Sequence, residues 1–397
     1  MVRITMKPQS LTSPPFPAPE PVCSGAPVQA DALTQHIAQA VRAQGGWIGF
    51  DTFMALALYT PGLGYYTGDL PKFGAMPGAP GATPGSDFVT APEISPLFGY
   101  ALARQVAQAL QATGTDEVWE FGAGTGALAE QVLSALREMQ VPLARYTIVD
   151  LSGSLQARQQ SRLAGFGAQV QWASALPAQM QGVVLGNELI DAMPVQLLAR
   201  VGGVWHERGV AWAQHQDQDG FVWADRPTAL RPPAEIEGDH DYLTEIHPQS
   251  EAFVRTLAQH LTRGAVLLLD YGFPEAEYYH PQRHMGTVMC HQAHRSDPNP
   301  LVQVGQKDIT AHVNFSALAL AAQDAGLEVL GYTNQAHFLI NCGLVDLMQA
   351  ATLPVRSAAQ RLILEHEMGE LFKVIALGVG ALWQPMGFGH GDRTHRL

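Results

Sequence analysis

Hydrophobic and polar positions in the first quarter of the chain follow a helical period between two segments of low periodicity. An amphipathic helix is predicted over 31–43, with Asp31 as its N-cap, and the helical pattern returns over 48–58. Residues 1–27 are rich in Pro, Ser and Ala, which predicts a disordered tail. Residues 70–86 are dense in Gly and Pro, which predicts a flexible loop.

From residue 97 onward, short apolar runs alternate with helical patterns, which is typical of an α/β protein with a largely parallel sheet. Strands are predicted at 117–121, 146–150, 170–172, 182–185, 266–270, 327–332 and 373–377. Helices are predicted at 97–112, 155–163, 245–263, 315–325, 344–351 and 358–366. Residues 196–225 alternate in the manner of inserted antiparallel hairpins, and the last residues, 387–397, are predicted to fray.

A glycine turn lies where the first of these strands meets a helix. Gly122, Gly124 and Gly126 occupy alternate positions after Glu120. Glycine is needed there because the backbone turns sharply and a ligand must approach it closely. The sequence GAGTGA fits a dinucleotide turn, and EFGAGTG fits the turn of enzymes that bind S-adenosylmethionine (SAM). The glycine pattern alone leaves both ligands open, and a turn that binds nothing also remains an alternative.

Acidic residues follow two further strands. Asp150 ends the strand 146–150, where a carboxylate can accept hydrogen bonds from the ribose hydroxyls of an adenosine. After the strand 182–185 come Asn187, Glu188 and Asp191. A nicotinamide enzyme does not need two carboxylates there, whereas an enzyme that holds a cationic or amine acceptor beside a sulfonium does. This cluster favours methyl transfer, although acids stabilising a helix N-terminus are the alternative.

Thr90, Glu93 and Ser95 lie on a polar turn between the Gly- and Pro-rich loop and the helix that begins near residue 97. An ordered polar turn after a flexible loop is typical of a lid and its anchor, and an ordinary capped loop is the alternative. Tyr271 directly follows the strand 266–270, at the edge where open α/β sheets bind ligands. We therefore predict that these residues contact the substrate or close over it.

Composition narrows the function classes. The net charge of −13 disfavours nucleic acid as a partner, because phosphate neutralisation supplies most of that affinity. No apolar run is long enough for a membrane span, and the start of the chain lacks the pattern of a signal peptide. The three cysteines, Cys23, Cys290 and Cys342, form neither a disulfide framework nor a C-x-x-C pair. The histidines near Cys290 fit no standard zinc spacing, so no metal is predicted.

Seven segments together resemble the MidA-like methyltransferases, a family that includes a mitochondrial complex I assembly factor acting as a protein arginine methyltransferase. They occur in family order between residues 50 and 378: LYTPGLGYYTGD, DFVTAPEISPLFG, EFGAGTGALA, GNELIDAMPV, LLLDYG, GTVMCHQAHRSDPNPLVQVGQKDITAHVNF and EMGELFKVIALG. The resemblance implies a class I Rossmann-like sheet of seven strands, the last antiparallel, with a helical N-terminal segment (28–115), a core (116–380), capping insertions (195–245 and 272–314) and a C-terminal tail (381–397).

The same resemblance implies roles for particular residues. By this match, the three glycines would line the SAM site and Asp150 would bind the ribose. From the residues themselves, we assign Glu120 and Asn187 to SAM as well, and Glu188, Asp191 and Asn187 to the acceptor. The expected activity is methylation of an arginine in a protein such as a complex I subunit. A SAM-binding assembly factor without turnover and a small-molecule methyltransferase remain alternatives. The bacterial cytoplasm is the expected location, with the mitochondrial matrix as the alternative, and the oligomeric state is left open.

Overall fold

The computed structural model describes residues 32–68, 89–150, 153–214, 219–292, 294–380 and 383–397. The predicted disordered tail, the N-cap Asp31 and the predicted flexible loop lie outside these ranges. The α-helices are α1 (Ala32–Ala43), α2 (Phe50–Tyr59), α3 (Ala91–Ile94), α4 (Leu97–Thr113), α5 (Ala127–Glu138), α6 (Gly153–Arg162), α7 (Pro248–His260), α8 (Glu275–Tyr278), α9 (Phe315–Asp324), α10 (Gln335–Asn341), α11 (Leu344–Ala350) and α12 (Leu353–Gln360).

The strands form three sheets over the same ranges. They are β1 (Trp47–Gly49), β2 (Glu117–Phe121), β3 (Arg145–Val149), β4 (Val170–Ala173), β5 (Met180–Asn187), β6 (Gln196–Val201), β7 (Val204–Ala213), β8 (Gly220–Pro227), β9 (Tyr242–Ile246), β10 (Leu261–Phe273), β11 (Met289–Gln292), β12 (Arg295–Asp297), β13 (Asp308–Thr310), β14 (Val313–Asn314), β15 (Glu328–Asn334) and β16 (Phe372–Val379).

The largest sheet has the strand order β15-β16-β10-β5-β2-β3-β4, and the short β14 pairs with β10. Strands β4, β3, β2, β5 and β10 are parallel, whereas β16 is antiparallel to both of its neighbours. This is an α/β fold with a mixed sheet. Because the parallel strands end at one edge, the turns that follow β2, β3, β5 and β10 meet there.

The centre of this sheet is buried on both faces. Alternate residues of β10 pack into two different cores, with Leu267 and Leu269 on the α4–α5 side and Val266 and Leu268 on the α7–α9 side. A strand covered on both faces needs a continuous apolar run rather than an alternating one, which explains the sequence VLLLD. Asp270 ends that run and is itself fully buried.

A second lobe covers the edge where the parallel strands end. The insertion after β5 supplies β6, β7 and β8, as the alternating pattern over 196–225 predicted, and also β9, which was not predicted. Strand β1 from the N-terminal segment joins their sheet by pairing with β7. One hydrophobic core joins residues of α1 and α2 with residues of the insertions, including Val210, Cys290 and Ile309. The N-terminal segment and both insertions therefore share one hydrophobic core, although the sequence patterns gave no sign that these three parts of the chain pack together.

Some predicted elements were wrong in their limits. The predicted helix 245–263 is α7 alone, because Glu245 is paired in β9, Pro248 begins the helix, and β10 starts at Leu261. The predicted helix over 48–58 starts two residues later, since Ile48 pairs with Val210. The last predicted helix, 358–366, was wrong at both ends, because α12 begins at Leu353 and ends at Gln360. Helix α10 was missed, although the Asn334 side chain accepts a hydrogen bond from its first turn.

The C-terminal residues are packed, so the prediction that they fray was wrong. Phe388 is 5% exposed and its ring lies 5.5 Å from that of Phe338. Arg393 donates a hydrogen bond of 2.5 Å from Nη1 to Glu370 Oε1, and its backbone N–H donates to the Tyr332 carbonyl. A glycine-rich polar sequence carries no periodic signal, so only these tertiary contacts order it. Within the described ranges, no helix is long and apolar enough to cross a membrane.

Candidate active site

A cavity of about 1070 Å³ lies between the ends of the parallel strands and the second lobe. The core contributes the glycine turn after β2, the acidic residues after β5, and Tyr271 of β10. The lobe contributes Tyr59 and Tyr66 from the N-terminal segment, residues 285–289, and residues around β13. The cavity therefore joins the predicted cofactor turn and the predicted acceptor cluster in one space.

The glycine turn has the backbone that its sequence predicts. Gly122, Gly124 and Gly126 have φ angles of 64°, 52° and 81°, a region in which residues with a Cβ are strained. A Cβ at Gly122 would lie 3.0 Å from Leu189 Cδ1, so a side chain would also crowd the turn that carries the acids. Gly126 immediately precedes α5, whose first N–H groups have no partner within the helix and are available to a ligand bound at the turn.

Asp150 lies at the end of β3 and lines the same cavity. Its Oδ2 accepts a hydrogen bond of 2.8 Å from Gln159 Nε2, and that nitrogen also donates to the Gly124 carbonyl at 2.9 Å. Gln159 is fully buried on α6, and its Oε1 accepts from the Trp172 indole N–H. This side chain links the glycine turn to Asp150. Sequence reasoning missed it because a glutamine on a polar helix gives no signal of its own.

Glu120 lies at the cavity on β2 and is 2% exposed. Burial raises the pKa of Glu120 to about 7, against the opposing effect of a 2.7 Å hydrogen bond that Tyr146 donates to Oε2. Tyr146 is itself buried in the adjacent strand β3. A carboxylate fixed in this way is preorganised to bind a polar group at the base of the glycine turn.

The acid turn, which we define as residues 187–191, follows β5. Glu188 has a φ of 50°, a strained value for a residue with a Cβ, and its Oε1 accepts hydrogen bonds of 3.1 Å from the Ala91 N–H and from Asn187 Nδ2. Burial raises the pKa of Glu188 to about 7. The Oδ1 atom of Asn187 is buried at the cavity and has no hydrogen-bond partner within the described ranges. It is therefore placed to accept from a bound molecule.

Asp191 is the second carboxylate of the acid turn and is 7% exposed. The Tyr271 hydroxyl donates a hydrogen bond of 2.5 Å to its Oδ2. Burial raises the pKa of Asp191 to about 6, and the bond from Tyr271 opposes that rise. Sequence reasoning assigned Glu188 and Asp191 to one strand end and Tyr271 to another. The structure brings all three together at one cavity wall.

Asp270 holds the acid turn in place and was not among the predicted site residues. Its Oδ2 accepts hydrogen bonds from three consecutive backbone N–H groups, those of Leu189, Ile190 and Asp191, at 2.8–3.1 Å. Its Oδ1 accepts from the Tyr271 N–H at 2.9 Å. The signal in the sequence was its place at the end of β10 beside Tyr271, but only the sheet order brings it under the turn after β5.

The predicted lid residues have different surroundings. Thr90 lines the cavity. Glu93 accepts hydrogen bonds from the Thr125 hydroxyl of the glycine turn and from Arg162 Nη1, which is 3.0 Å away. Ser95 is fully buried, and its hydroxyl accepts from the Leu97 N–H at the start of α4 instead of lining the cavity. The segment around α3 is therefore bound directly to the glycine turn.

The cavity carries more negative than positive groups. Five carboxylates line it, those of Glu120, Asp150, Glu188, Asp191 and Asp308, and Arg283 is the only lysine or arginine among its described lining residues. Burial lowers the pKa of His312 to about 4 and lowers that of His291, so neither imidazole adds a positive charge near neutral pH. No group of three or more metal-ligating side chains occurs within the described ranges. Such a cavity suits a cationic ligand.

These features define an α/β fold with a glycine turn and a cluster of acids at the edge where its parallel strands end. A family model for S-adenosyl-L-methionine-dependent methyltransferases matches residues 101–333, and the chain belongs to that family. SAM is therefore its cofactor, which decides between the two ligands that the glycine pattern left open. The positive-φ turn, Asp150 and the unpartnered Asn187 Oδ1 fit a nucleoside with a cationic amino-acid tail.

Solved and curated relatives agree with this assignment. A COG1565 superfamily protein from Burkholderia thailandensis, solved with S-adenosyl-homocysteine bound, is 48% identical, with a TM-score of 0.86 over 93% of this chain and 97% of that one. The human protein arginine methyltransferase NDUFAF7, mitochondrial, is 28% identical and matches 87% of this chain and 83% of its own. Its Caenorhabditis elegans homolog is 26% identical and matches 80% and 78%, respectively. The MidA-like resemblance is thereby confirmed.

Proposed function

We propose that this protein transfers the methyl group of SAM to a nitrogen of an arginine side chain in a protein. The observation that carries the proposal is the pair of carboxylates, Glu188 and Asp191, on one buried turn beside the glycine turn. The names of the mitochondrial relatives support arginine as the acceptor. From the family resemblance, a respiratory complex I subunit is the first acceptor to test, and the two expected locations follow from the same resemblance.

In this proposal, SAM supplies an electrophilic methyl group on its sulfonium. Gly122, Gly124 and Gly126 would admit it to the turn. Glu120 and Asp150 would accept hydrogen bonds from its polar groups, and Asn187 would orient its tail or the acceptor. The N–H groups at the start of α5 add donors on the same side. Thr90, Glu93 and Ser95 belong to the segment that closes over the cofactor and excludes water.

Glu188 and Asp191 act on the acceptor. A guanidinium is protonated at neutral pH and is a poor nucleophile, because its lone pairs are delocalised. Paired carboxylates bind its planar N–H groups, localise its charge and present one nitrogen to the methyl group. Formation of the N–C bond would break the bond between that methyl carbon and the sulfonium sulfur, leaving S-adenosyl-homocysteine, and the proton lost from the nitrogen would pass to a carboxylate. A pKa of about 7 at Glu188 suits proton acceptance near neutral pH.

We also propose the organisation that this function needs. Residues 28–115 form the helical and lid segment, 116–380 form the core with insertions at 195–245 and 272–314, and 381–397 form a C-terminal tail. The strand order, in which β16 lies antiparallel between β10 and β15, supports a class I methyltransferase sheet of seven strands. Tyr271, bonded to Asp191, belongs to the acceptor side of the site.

The first test is calorimetric titration of the purified protein with SAM, S-adenosyl-homocysteine and NAD(H). Mass spectrometry of co-expressed candidate proteins then detects methylarginine. Glu188→Gln should bind SAM as the wild type does and yield no methylarginine. Full activity in that variant would remove Glu188 from catalysis. Binding of SAM without any methylated product would support the assembly factor without turnover.

A further inference from the structure

Arg283 brings a positive charge to a cavity whose other charged groups, among its described lining residues, are carboxylates. Its guanidinium carbon lies 3.9 Å from the ring centroid of Phe273, and its Nε donates a hydrogen bond of 3.1 Å to the Glu277 carbonyl. The ring holds the plane of the guanidinium and the carbonyl holds one of its edges. The side chain is therefore oriented before any ligand binds.

The charge of Arg283 has no carboxylate partner among the residues that the structure describes. The carboxylate of Glu277, the residue whose carbonyl binds Nε, is paired instead with Arg396, at 3.1 Å. A planar guanidinium in this state can bind a carboxylate through two parallel N–H donors, which is the geometry that arginine prefers. The ligand chemistry that fits Arg283 is therefore a carboxylate.

A row of three rings connects Arg283 with the acid turn. The Phe273 ring, on which the guanidinium stacks, lies 5.2 Å from that of His312, which in turn lies 5.1 Å from the Tyr271 ring. The Tyr271 hydroxyl is bonded to Asp191. Because an extended peptide advances about 3.3 Å per residue, a few residues of a bound segment span this row.

Two ligands of the cavity can supply a carboxylate, namely the amino-acid tail of SAM and an acidic side chain of the acceptor protein. The glycine turn follows β2, whereas Phe273 ends β10, and β5 with its acid turn lies between these two strands. Neighbouring strands are about 5 Å apart, so the ring that holds Arg283 ends a strand about 10 Å from the one that carries the glycine turn. This position favours the acceptor as the source.

We infer that Arg283 binds an acidic side chain of the acceptor protein, within a few residues of the arginine that receives the methyl group. This inference rests on the proposed function, whose acceptor it specifies further. The acid turn then binds the positive group of the acceptor and Arg283 binds the negative one, so the cavity selects a segment that carries both charges. Arg283 is thus a specificity-determining residue and takes no part in the chemical step.

The test measures binding of capped heptapeptides to protein saturated with S-adenosyl-homocysteine. Each peptide has a central arginine among glycines, and one further position, varied from peptide to peptide, carries glutamate, glutamine or lysine. At the preferred position, wild type should bind the glutamate peptide about tenfold more tightly than the glutamine peptide, because a charge-assisted pair forms. Arg283→Gln should bind the two equally. The matched control is Arg295→Gln, at an exposed position on β12 of the same insertion, which should keep the preference.

Arg283→Glu separates recognition of charge from a structural role of the side chain. Reversal of the charge should reverse the preference, so that the lysine peptide binds more tightly than the glutamate peptide. Loss of packing alone weakens all peptides together and does not reverse their order. The affinity for S-adenosyl-homocysteine should match that of the wild type in every variant.

Two results would overturn the inference while leaving the proposed function intact: wild type binds glutamate and glutamine peptides equally at every position, or Arg283→Gln keeps the preference. If Arg283→Gln loses affinity for S-adenosyl-homocysteine but not for 5′-methylthioadenosine, which lacks the amino-acid tail, Arg283 binds SAM and the inference is wrong. Failure of every arginine peptide to bind, or equal binding of peptides with a central citrulline, would instead contradict arginine as the acceptor, and the inference would fall with it.

Discussion

The Tyr271 hydroxyl donates a 2.5 Å hydrogen bond to Asp191 Oδ2, joining the ends of β10 and β5 at the cavity. The bond lowers the pKa of Asp191 against the effect of burial, so it favours the ionised form of this carboxylate. The same tyrosine receives its backbone position from Asp270. Two consecutive residues of β10 therefore act on the acid turn: Asp270 holds its backbone, and Tyr271 lowers the pKa of Asp191.

Replacing Tyr271 by Phe should shift the pH dependence of methyl transfer. Without the hydroxyl, the pKa of Asp191 rises above about 6, so the acidic limb of the rate profile should move to higher pH. Activity near pH 6 should fall about tenfold, with SAM affinity unchanged. Tyr332→Phe is the matched control, because that buried hydroxyl has no partner within the described ranges. An unshifted profile in Tyr271→Phe would mean that Asp191 does not set the acidic limb.

Asp270→Asn should destabilise the fold. One oxygen that accepts backbone N–H groups becomes an NH2 group, which opposes those donors instead of binding them. We expect a loss of about 2–4 kcal/mol in the free energy of unfolding, together with loss of activity as the acid turn moves. Urea unfolding followed by circular dichroism measures this, with exposed Asp324→Asn as control. A loss no larger than that of the control would show that the turn holds its shape without Asp270.

Glu120→Gln should change how stability depends on pH. The pKa of Glu120 is raised from 4.5 to about 7 in the folded protein, so folding takes up a proton between these values. The stability from this group is fully present below pH about 4.5 and is lost as pH rises through 7. The variant has no such carboxyl group, so in the absence of cofactor its free energy of unfolding relative to that of the wild type should rise by ~3 kcal/mol between pH 4 and pH 8. Exposed Glu138→Gln should show no such trend; a flat difference for Glu120→Gln would contradict the raised pKa.

Glu93→Ala should weaken SAM binding by about tenfold, because it removes the carboxylate that the Thr125 hydroxyl and Arg162 contact across the glycine turn. The matched control is Glu130→Gln, which removes the other ion pair of Arg162, 3.0 Å long, at a side chain that is 45% exposed. That exposed pair should contribute little. Titration calorimetry gives both affinities. Equal losses in the two variants would show that Arg162, rather than the segment around α3, controls the turn.

The sequence by itself determined the alternation of strands and helices, the glycine turn and the acids at the strand ends. Those features are local: a buried strand needs an apolar run, and a left-handed turn needs glycine. Sequence patterns predicted the wrong structure where contacts with distant residues decide it. Glu245 was predicted to be helical but pairs in β9, and Phe388 was predicted to fray but packs on Phe338.

Only the tertiary structure decided which distant residues meet at the site. Strand order places Asp270 under the turn after β5, and the shared core of the second lobe brings Asp308 and Tyr66 to the same cavity. Gln159 contacts both the glycine turn and Asp150 because α6 packs beside the ends of β2 and β3. No pattern along the chain encodes these pairings, because hydrogen bonds between residues far apart in sequence depend on how whole elements pack.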